Sequence, residues 1–167
     1  MSRRIEVDEN LEPVEIPGRI LNELCSHALE TLPEECCGLI VGSDQRRYGE
    51  LRRCRNEMTS KHRADPVTYP RTGEHAFYMN ELDYLRVQET AHASSERVTV
   101  VYHSHVGAGA YLSEMDLEYA ENAFFPFPDS DQLVVAVCNE KVAGIGLFSR
   151  EGDGQAFRGR SIILGTP

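Results

Sequence analysis

The spacing of apolar residues changes several times along the chain, and each change predicts a different secondary-structure element. Behind Pro17, apolar side chains recur every three or four residues over 20–29, which is typical of an amphipathic helix that Pro33 ends. An unbroken apolar run bounded by glycine at 37–42 predicts a buried strand, and a turn then leads to a second strand over about 48–56.

The next segment, residues 57–77, shows no hydrophobic period and contains two prolines and one glycine. We therefore expect a long irregular loop, which in a compact domain is usually functional or mobile. Asn80 is expected to cap a helix that runs to about Ser94. The apolar residues of this helix lie on or near one side: Leu82, Leu85, Val87 and Ala91. A continuous, β-branched run at 98–102 predicts another buried strand.

The last third of the chain predicts a glycine-rich loop, one helix and further strands. The loop covers 106–111, the helix opens at 113–116, and Pro126 must end it. The remaining strands are expected at 133–138, 142–148 and 157–164, the first two as a hairpin. The acidic residues 1–15 are expected to form an N-terminal arm or an added edge strand, and 16–167 the domain. Without repeats or a linker, the pattern predicts a single α/β domain with a mixed central sheet flanked by helices.

Composition and charge narrow the possible functions. A chain of 167 residues suffices for one core, and a formal net charge of -10 argues against nucleic acid, whose binding needs a basic surface. Neither a secretory signal nor a membrane-spanning run is present, so we expect a cytoplasmic protein without membrane association. A basic stretch at 46–55 is expected to be a solvated strand face, with a dock for an acidic protein partner as the alternative. Its arginines are Arg46, Arg47, Arg52, Arg53 and Arg55.

The five cysteines are odd in number and irregular in spacing, at positions 25, 36, 37, 54 and 138. Without a secretory signal they are expected to be reduced thiols. Cys36 and Cys37 are adjacent, and neighbours in a strand point to opposite faces, so a bond between them is not expected. Because no C-x-x-C spacing occurs, buried packing is favoured over a role as metal ligands.

The chemically distinctive pattern follows a predicted buried strand. His103 and His105 are separated by one residue, and side chains at i and i+2 of an extended chain point to the same side. Ser104 between them is then expected to face away and to pack or support the ligands. After seven further residues, Ser113 precedes Asp116 by three positions, a spacing that shares one helix face. The Asp116 carboxylate can therefore reach back to the point that the histidines address.

Two imidazole nitrogens and one carboxylate oxygen suit zinc, and three protein ligands leave a fourth position for water, as in catalytic sites. Ser-x-x-Asp is also an ordinary capping box, and a lone histidine at a strand end is usually a hydrogen-bonded polar residue. The combined spacing favours the metal site over these interpretations. The other histidines, His27, His62, His75 and His92, are expected at the surface, with His62 or His75 near a substrate groove as the alternative.

At these residues the sequence resembles the JAMM metallopeptidases, the catalytic branch of the MPN-domain family. The family pattern is a distant upstream glutamate, then His-x-His, seven residues, Ser, two residues and Asp. The matching positions are His103, Ser104, His105, Ser113 and Asp116. The segment 32–38, LPEECCG, is similar to the family's P-x-E-x-C-G sequence and selects Glu35 rather than Glu34 as the glutamate. The order of predicted elements agrees with the family over about 16–149.

The resemblance implies a cytidine-deaminase-like MPN fold and a zinc ion, Zn2+, held by His103, His105 and Asp116. It also implies that Glu35 passes a proton from water to the leaving amine, and that Ser113 donates a hydrogen bond to the developing oxyanion. Many relatives carry proline after His-Ser-His, where this chain has a different loop. This departure leaves the substrate subclass open and does not touch the metal ligands.

The implied substrate is the C-terminal diglycine tail of a ubiquitin-like protein, cleaved in deconjugation or in tail processing. Hydrolysis of a sulfur-carrier protein in cysteine or cofactor biosynthesis is the alternative. A non-catalytic MPN scaffold is the alternative of another class, disfavoured because all the ligands are present. A zinc deaminase needs H-x-E and P-C-x-x-C, and neither sequence occurs. Tyr69, Phe77 and Tyr78 of the long loop are expected either to anchor a partner or to fill the local core.

Overall fold

A seven-stranded sheet runs through the molecule and carries helices on both faces. The computed structural model describes residues 2–152 and 156–166. Its strands are β1 (Val14–Pro17), β2 (Cys37–Gly42), β3 (Glu50–Cys54), β4 (Arg97–Val106), β5 (Asp131–Cys138), β6 (Lys141–Ser149) and β7 (Arg158–Gly165). Its helices are α1 (Gly18–Glu30), α2 (Met58–Ala64), α3 (Glu81–Ala93) and α4 (Glu114–Glu121).

The strand order is β1-β7-β6-β5-β4-β2-β3. The pairs β1–β7 and β4–β5 are parallel and the other neighbours are antiparallel, so the sheet is mixed. The predicted single α/β domain with a mixed central sheet is confirmed. Strand β4 lies between β2 and β5, and its residues from Val98 to His105 are all buried.

The core forms one layer on each face of the sheet. On one face, α1 buries Ile20 and Leu24 against residues of the central strands, among them Leu133 of β5. On the other face, Ala91 of α3 packs near Val101 of β4. Each fully buried leucine or isoleucine contributes on the order of 2 kcal/mol to folding. Neighbouring residues of β4 point to opposite faces of the sheet, so each polar side chain of this strand lies in one of the two layers.

The cysteines follow the same alternation. Cys36 belongs to the layer under α1 and Cys37 to the layer under α3, so the adjacent thiols point to opposite faces as expected. All five cysteines are free thiols, which agrees with the predicted reduced state. Burial raises the pKa of the Cys36 thiol to about 12, so this side chain is a packed neutral group.

The prediction of an irregular loop over 57–77 is wrong in part, because α2 lies within it. This helix has seven residues and buries only Met58, so no apolar stripe marks it in the sequence. The helix after Asn80 is confirmed, and the Asn80 side chain accepts a hydrogen bond from the Asp83 amide. Leu82 is nevertheless 60% exposed, so the apolar side of α3 is only partly buried. None of the described helices is long and apolar enough to cross a membrane.

The N-terminal segment lies against the domain. Ile5 forms an antiparallel bridge with Leu112, and Val7 forms a parallel bridge with Gly159. Ile5 and Val7 also pack on a small cluster that includes Leu117 of α4. The segment before β1 thus contacts the loop and helix that follow β4.

The basic stretch at 46–55 is balanced by acids of the same chain. The ion pairs are Arg47–Asp131, Arg52–Glu50, Arg53–Glu30 and Arg55–Asp83. Asp131 is largely buried, whereas the other three pairs lie at the surface, where ion pairs contribute little to stability. Their main consequence is that the positive charge of this strand face is largely compensated within the chain.

The prediction of a surface position for His27 is wrong. This side chain is 6% exposed, and its Nδ1 lies 2.8 Å from the hydroxyl of the fully buried Tyr102. Tyr102 in turn lies against Gly38, where any Cβ would overlap the phenol ring. Burial, with the nearby Arg53 charge, lowers the pKa of His27 to about 4. His27 is therefore a neutral partner of a buried phenol, a role that helical spacing alone does not reveal.

The buried His27 should make stability depend on pH. Between pH 6.5 and about 4 the unfolded chain binds a proton at this histidine and the folded chain does not, so stability falls as pH falls through that window. The loss is about 3 kcal/mol at most. Denaturant unfolding of the wild type and His27→Gln at pH 7.5 and 4.5 measures it, and the variant should lose less. His92→Gln, at an exposed position, is the control; equal losses in wild type and His27→Gln would contradict the assignment.

Candidate metal centre and active site

The last residues of β4 bring two imidazoles together. His103 pairs with Cys37 of β2 and Val134 of β5, so its backbone is held on both sides. His105 points to the same side, and the Nε2 atoms of His103 and His105 lie 3.2 Å apart. The strand continues to Val106, so the histidines lie inside β4 rather than after it, and the alternation of a strand aims them at one point.

Ser104, between the histidines, faces the opposite layer as expected. Its hydroxyl accepts a hydrogen bond from the Cys36 amide at 2.7 Å, and its own amide donates to the Cys36 carbonyl at 3.0 Å. These two hydrogen bonds join β4 to Cys36, the residue that follows Glu35. The relative position of Glu35 and the imidazoles is therefore set by hydrogen bonds of the Cys36 backbone.

Asp116 reaches the imidazoles from the first turn of α4. Its Oδ1 lies 3.2 Å from Nε2 of His103, and its Oδ2 lies 3.3 Å from Nε2 of His105. Ser113 caps the helix, accepting from the Asp116 amide at 3.2 Å. In return, the amide and hydroxyl of Ser113 donate to Asp116 Oδ2 at 2.8 and 2.7 Å. The two interpretations of Ser-x-x-Asp are thus compatible, because the capping box itself holds the carboxylate in place.

These three side chains form a group that suits a metal ion. His103, His105 and Asp116 are 0%, 6% and 7% exposed, and their ligand atoms lie within 4.8 Å of one another. Two imidazole nitrogens and a carboxylate oxygen form a borderline donor set that fits a divalent cation. Within the described residues, Nδ1 of His103 has no hydrogen-bond partner, and it is Nε2 that lies near His105 and Asp116.

Several contacts around the ligands were not predicted. The Phe77 ring stacks on the His103 ring at a centroid distance of 4.6 Å, so Phe77 fills the core beside the site. Nδ1 of His105 lies 2.9 Å from the Gly109 carbonyl in the glycine-rich loop. A carbonyl partner of this kind selects the tautomer that leaves Nε2 free for a metal. Residue type carries no signal for such a contact, because any residue supplies a carbonyl.

Tyr69 and Tyr78 differ from Phe77 in position. Their rings meet edge to face at 5.8 Å, and the Lys61 ammonium lies over both. Phe77 thus takes the expected role in the local core, and the role of Tyr69 and Tyr78 as partner anchors stays a prediction.

Glu35 is buried at the side of this group, 6% exposed, in a cavity that it shares with His105 and Ser113. Burial, together with the Asp116 charge, raises the pKa of Glu35 to about 8, although His105 and Arg71 act in the opposite direction. Glu34 has a different partner, since the Thr59 hydroxyl donates to its carboxylate. Of the two glutamates, Glu35 is the one that faces the candidate site.

The charges within the group support one another. Burial acts to raise the pKa of Asp116, but the neighbouring His103 and His105 reverse this and hold it well below its usual range. Burial acts to lower the pKa of His105, but the hydrogen bond and charge of Asp116 outweigh it and raise the pKa. A buried carboxylate that stays ionised beside two imidazoles favours the binding of a cation.

The long segment after Asn56 carries other residues to the cleft. The Asn56 side chain donates to the carbonyls of Glu35 and Ala76 at 3.0 and 3.1 Å, so it links the two sides of the segment. Arg71 and His75 line the cleft beside Glu35. His75 is exposed, as predicted, and it also lines this cleft, whereas His62 bonds to the Tyr69 carbonyl.

Known proteins resemble this chain in sequence. Residues 17–149 match the family model of prokaryotic homologs of the JAB domain. The CysO-cysteine peptidases of Mycobacterium bovis and Mycobacterium tuberculosis are 24% identical over 121 residues, which is 72% of this chain and 71% of each relative.

Solved structures share the fold. A Salinibacter ruber protein has a TM-score of 0.61 at 24% identity, covering 92% of this chain and 93% of that one. A Desulfitobacterium hafniense protein has a TM-score of 0.58 at 18% identity, covering 90% and 92%. The family match and the name of the mycobacterial relatives support a peptidase or a related hydrolase. The match extends over most of the sequence, and the chain belongs to the family of prokaryotic JAB-domain proteins.

Proposed function

We propose that this protein is a zinc-dependent peptidase or isopeptidase that cleaves after the C-terminal diglycine of a small ubiquitin-like or sulfur-carrier protein. The observation that supports it is the convergence of His103, His105 and Asp116 at one buried point, with Glu35 and Ser113 lining the adjoining cleft. Zinc is proposed because two imidazoles and one carboxylate form a three-ligand set of the kind found in catalytic zinc sites.

Bound there, zinc would lower the pKa of a coordinated water toward neutrality and polarise the scissile carbonyl. Glu35, which a cation in the site would keep ionised, takes a proton from the attacking water and delivers it to the leaving amine, a transfer that requires hydrogen-bond reach of both. Its buried position keeps bulk water from competing for this proton. His103, His105 and Asp116 hold the site in register, since all three are anchored by β4 and by the cap of α4.

Ser113 is proposed to steady the oxyanion that forms on the scissile carbonyl. Its hydroxyl donates to Asp116 in the structure, so it must rotate toward the substrate when the carbonyl carbon becomes tetrahedral. The Ser113 amide continues to bond Asp116 during this rotation, and the carboxylate keeps its position.

The two substrate classes differ in the group that is joined to the diglycine. Resemblance to the JAMM family supports a ubiquitin-like protein joined to a target, whereas relatives named CysO-cysteine peptidase support a sulfur-carrier substrate. Both need an extended tail that enters a narrow cleft, and glycine is the residue that permits the closest approach of backbone to a metal site. Cytoplasmic location is part of the same proposal, as an enzyme for either substrate would meet it there.

Removal of a ligand should remove the metal. Asp116→Ala is expected to reduce bound zinc from about one ion per chain to a small fraction, because two ligands bind zinc much more weakly than three. Metal analysis after gel filtration measures this. Glu114→Ala is the matched control, since Glu114 is an exposed acid on the same turn. Full zinc occupancy in Asp116→Ala would refute the ligand assignment.

Loss of the proton carrier should remove turnover and keep the metal. Glu35→Gln is expected to bind zinc normally and to lower kcat on the order of a thousandfold. Glu34→Gln, its neighbour in sequence, should keep both zinc and turnover. The measurement is cleavage of a panel of diglycine-linked ubiquitin-like and sulfur-carrier fusions, with and without a chelator. An active Glu35→Gln would exclude this role, and absence of chelator-sensitive cleavage by the wild type would favour a non-catalytic scaffold.

Loss of the Ser113 hydroxyl should lower kcat strongly and destabilise the fold only slightly. Ser113→Ala is expected to reduce kcat on the order of a hundredfold, as for loss of an oxyanion donor. It should also destabilise α4 by about 1 kcal/mol through loss of the cap. Rates are therefore measured well below the midpoint of thermal unfolding, with zinc content determined in parallel. Unchanged kcat at full zinc content would leave Ser113 with a capping role alone.

A further inference from the structure

Two adjoining cavities meet at the candidate site, of about 290 and 210 Å3. The larger is bordered by the glycine-rich loop and the smaller by Phe77 and Met115. The residues that line both cavities are Glu35, Arg71, His75, His105 and Ser113. Glu35, His105 and Ser113 already have proposed roles, whereas Arg71 and His75 have none.

Arg71 places an exposed cation in the wall of both cavities. Within the described residues its guanidinium makes no hydrogen bond and no ion pair, in contrast to Arg52, Arg53 and Arg55. A guanidinium stays charged at all working pH values and offers a planar fork of donors that matches a carboxylate. Its charge already acts on Glu35 across the cleft. Water solvates this exposed guanidinium in the free protein, so a carboxylate bound in the cleft would replace water there without breaking an ion pair.

The turn that carries Arg71 and His75 is hydrogen-bonded to Glu35. The Glu35 amide donates to the Gly73 carbonyl at 2.7 Å, and the Gly73 amide donates to the Thr59 hydroxyl at 3.0 Å. Within the turn, the His75 amide donates to the Thr72 carbonyl at 3.1 Å. Arg71 and His75 thus lie on either side of a residue bonded to Glu35, and the position of their backbone relative to Glu35 is set by the fold.

The position of the leaving nitrogen identifies the anion. That nitrogen must lie next to Glu35 to receive its proton. In an α-amino acid the carboxylate carbon lies two bonds from this nitrogen, about 2.5 Å away. In an isopeptide the leaving amine is the end of a lysine side chain, and the lysine carboxylate lies several bonds further. Arg71 borders both cavities. Whichever cavity binds the tail, Arg71 therefore also lines the cavity that receives the leaving group.

We infer that Arg71 and His75 form a carboxylate-binding subsite, and that the preferred substrate is a diglycine tail extended by one amino acid with a free α-carboxylate. The inference rests on the proposed peptidase function and narrows it. Water adds across the amide bond: the hydroxyl joins the glycine carbonyl carbon, the carbon–nitrogen bond breaks, and the proton goes to the nitrogen. The products are a carrier that ends in a glycine carboxylate and one free amino acid.

The test compares two substrates that differ only at the carboxylate. A sulfur-carrier protein ending in Gly-Gly is extended by one alanine, prepared once as the free acid and once as the C-terminal amide. The zinc-loaded wild type should cleave the acid with at least a tenfold higher kcat/KM than the amide. In Arg71→Gln this ratio should fall to nearly one, and in Arg71→Lys it should be intermediate, because lysine keeps the charge without the fork.

Arg63→Gln is the matched control, since Arg63 is an exposed arginine of α2 outside the cleft lining. It should keep the wild-type ratio. Equal cleavage of acid and amide by the wild type, an unchanged ratio in Arg71→Gln, or an equal fall in Arg63→Gln would overturn the subsite and leave the peptidase intact. Absence of zinc-dependent cleavage of both substrates would overturn the subsite and the proposed function together.

Discussion

The Asp116 carboxylate is the group on which the arrangement of the site depends. A buried carboxylate is costly unless hydrogen bonds and opposite charges compensate it, by several kcal/mol for an ion of this kind. Here the compensation comes from two elements at once: the capping residue Ser113 and the two imidazoles at the end of β4. The start of α4 and the end of β4 therefore have to meet at one place. The glycine-rich loop between them supplies the connection and, through the Gly109 carbonyl, the orientation of His105.

The sheet gives this meeting point a rigid base. Strand β4 is paired along both edges, with β2 on one side and β5 on the other, and its two faces belong to different core layers. One face carries the imidazoles under Phe77, and the other carries Tyr102 and Ser104, which bond His27 and Cys36. The polar residues of a single strand are thus divided between a site and a scaffold by strand alternation alone.

Sequence patterns predicted the parts of this structure that depend on local periodicity. Strand alternation aimed His103 and His105 to one side, and the three-residue step from Ser113 to Asp116 described both the cap and the approach to the imidazoles. Helix α2 was not predictable, because a seven-residue helix with one buried side chain leaves no apolar stripe. The burial of His27 was missed because its partner lies 75 residues away on another element.

The same distinction separates the two halves of the cleft. The residues within one strand or one helical turn could be assigned from spacing, and their chemical roles remain proposals. Arg71 and His75 reach the cleft through a segment whose path is set by side-chain contacts, chiefly those of Asn56 and Thr59. No periodic pattern describes such a path, so their position could be known only from the folded chain.

The hydrogen bond between the Glu35 amide and the Gly73 carbonyl limits which changes of loop length and sequence this cleft can accept during evolution. A loop that only borders a site can lengthen, shorten or be exchanged while the chemistry is retained. Here the loop that carries Arg71 and His75 is hydrogen-bonded to Glu35, so an insertion or deletion next to Gly73 would act on Glu35 as well. Replacement of the 65–76 segment by a segment from another protein would have to keep this one backbone bond, and new specificity in this chain should arise more readily by substitution than by insertion.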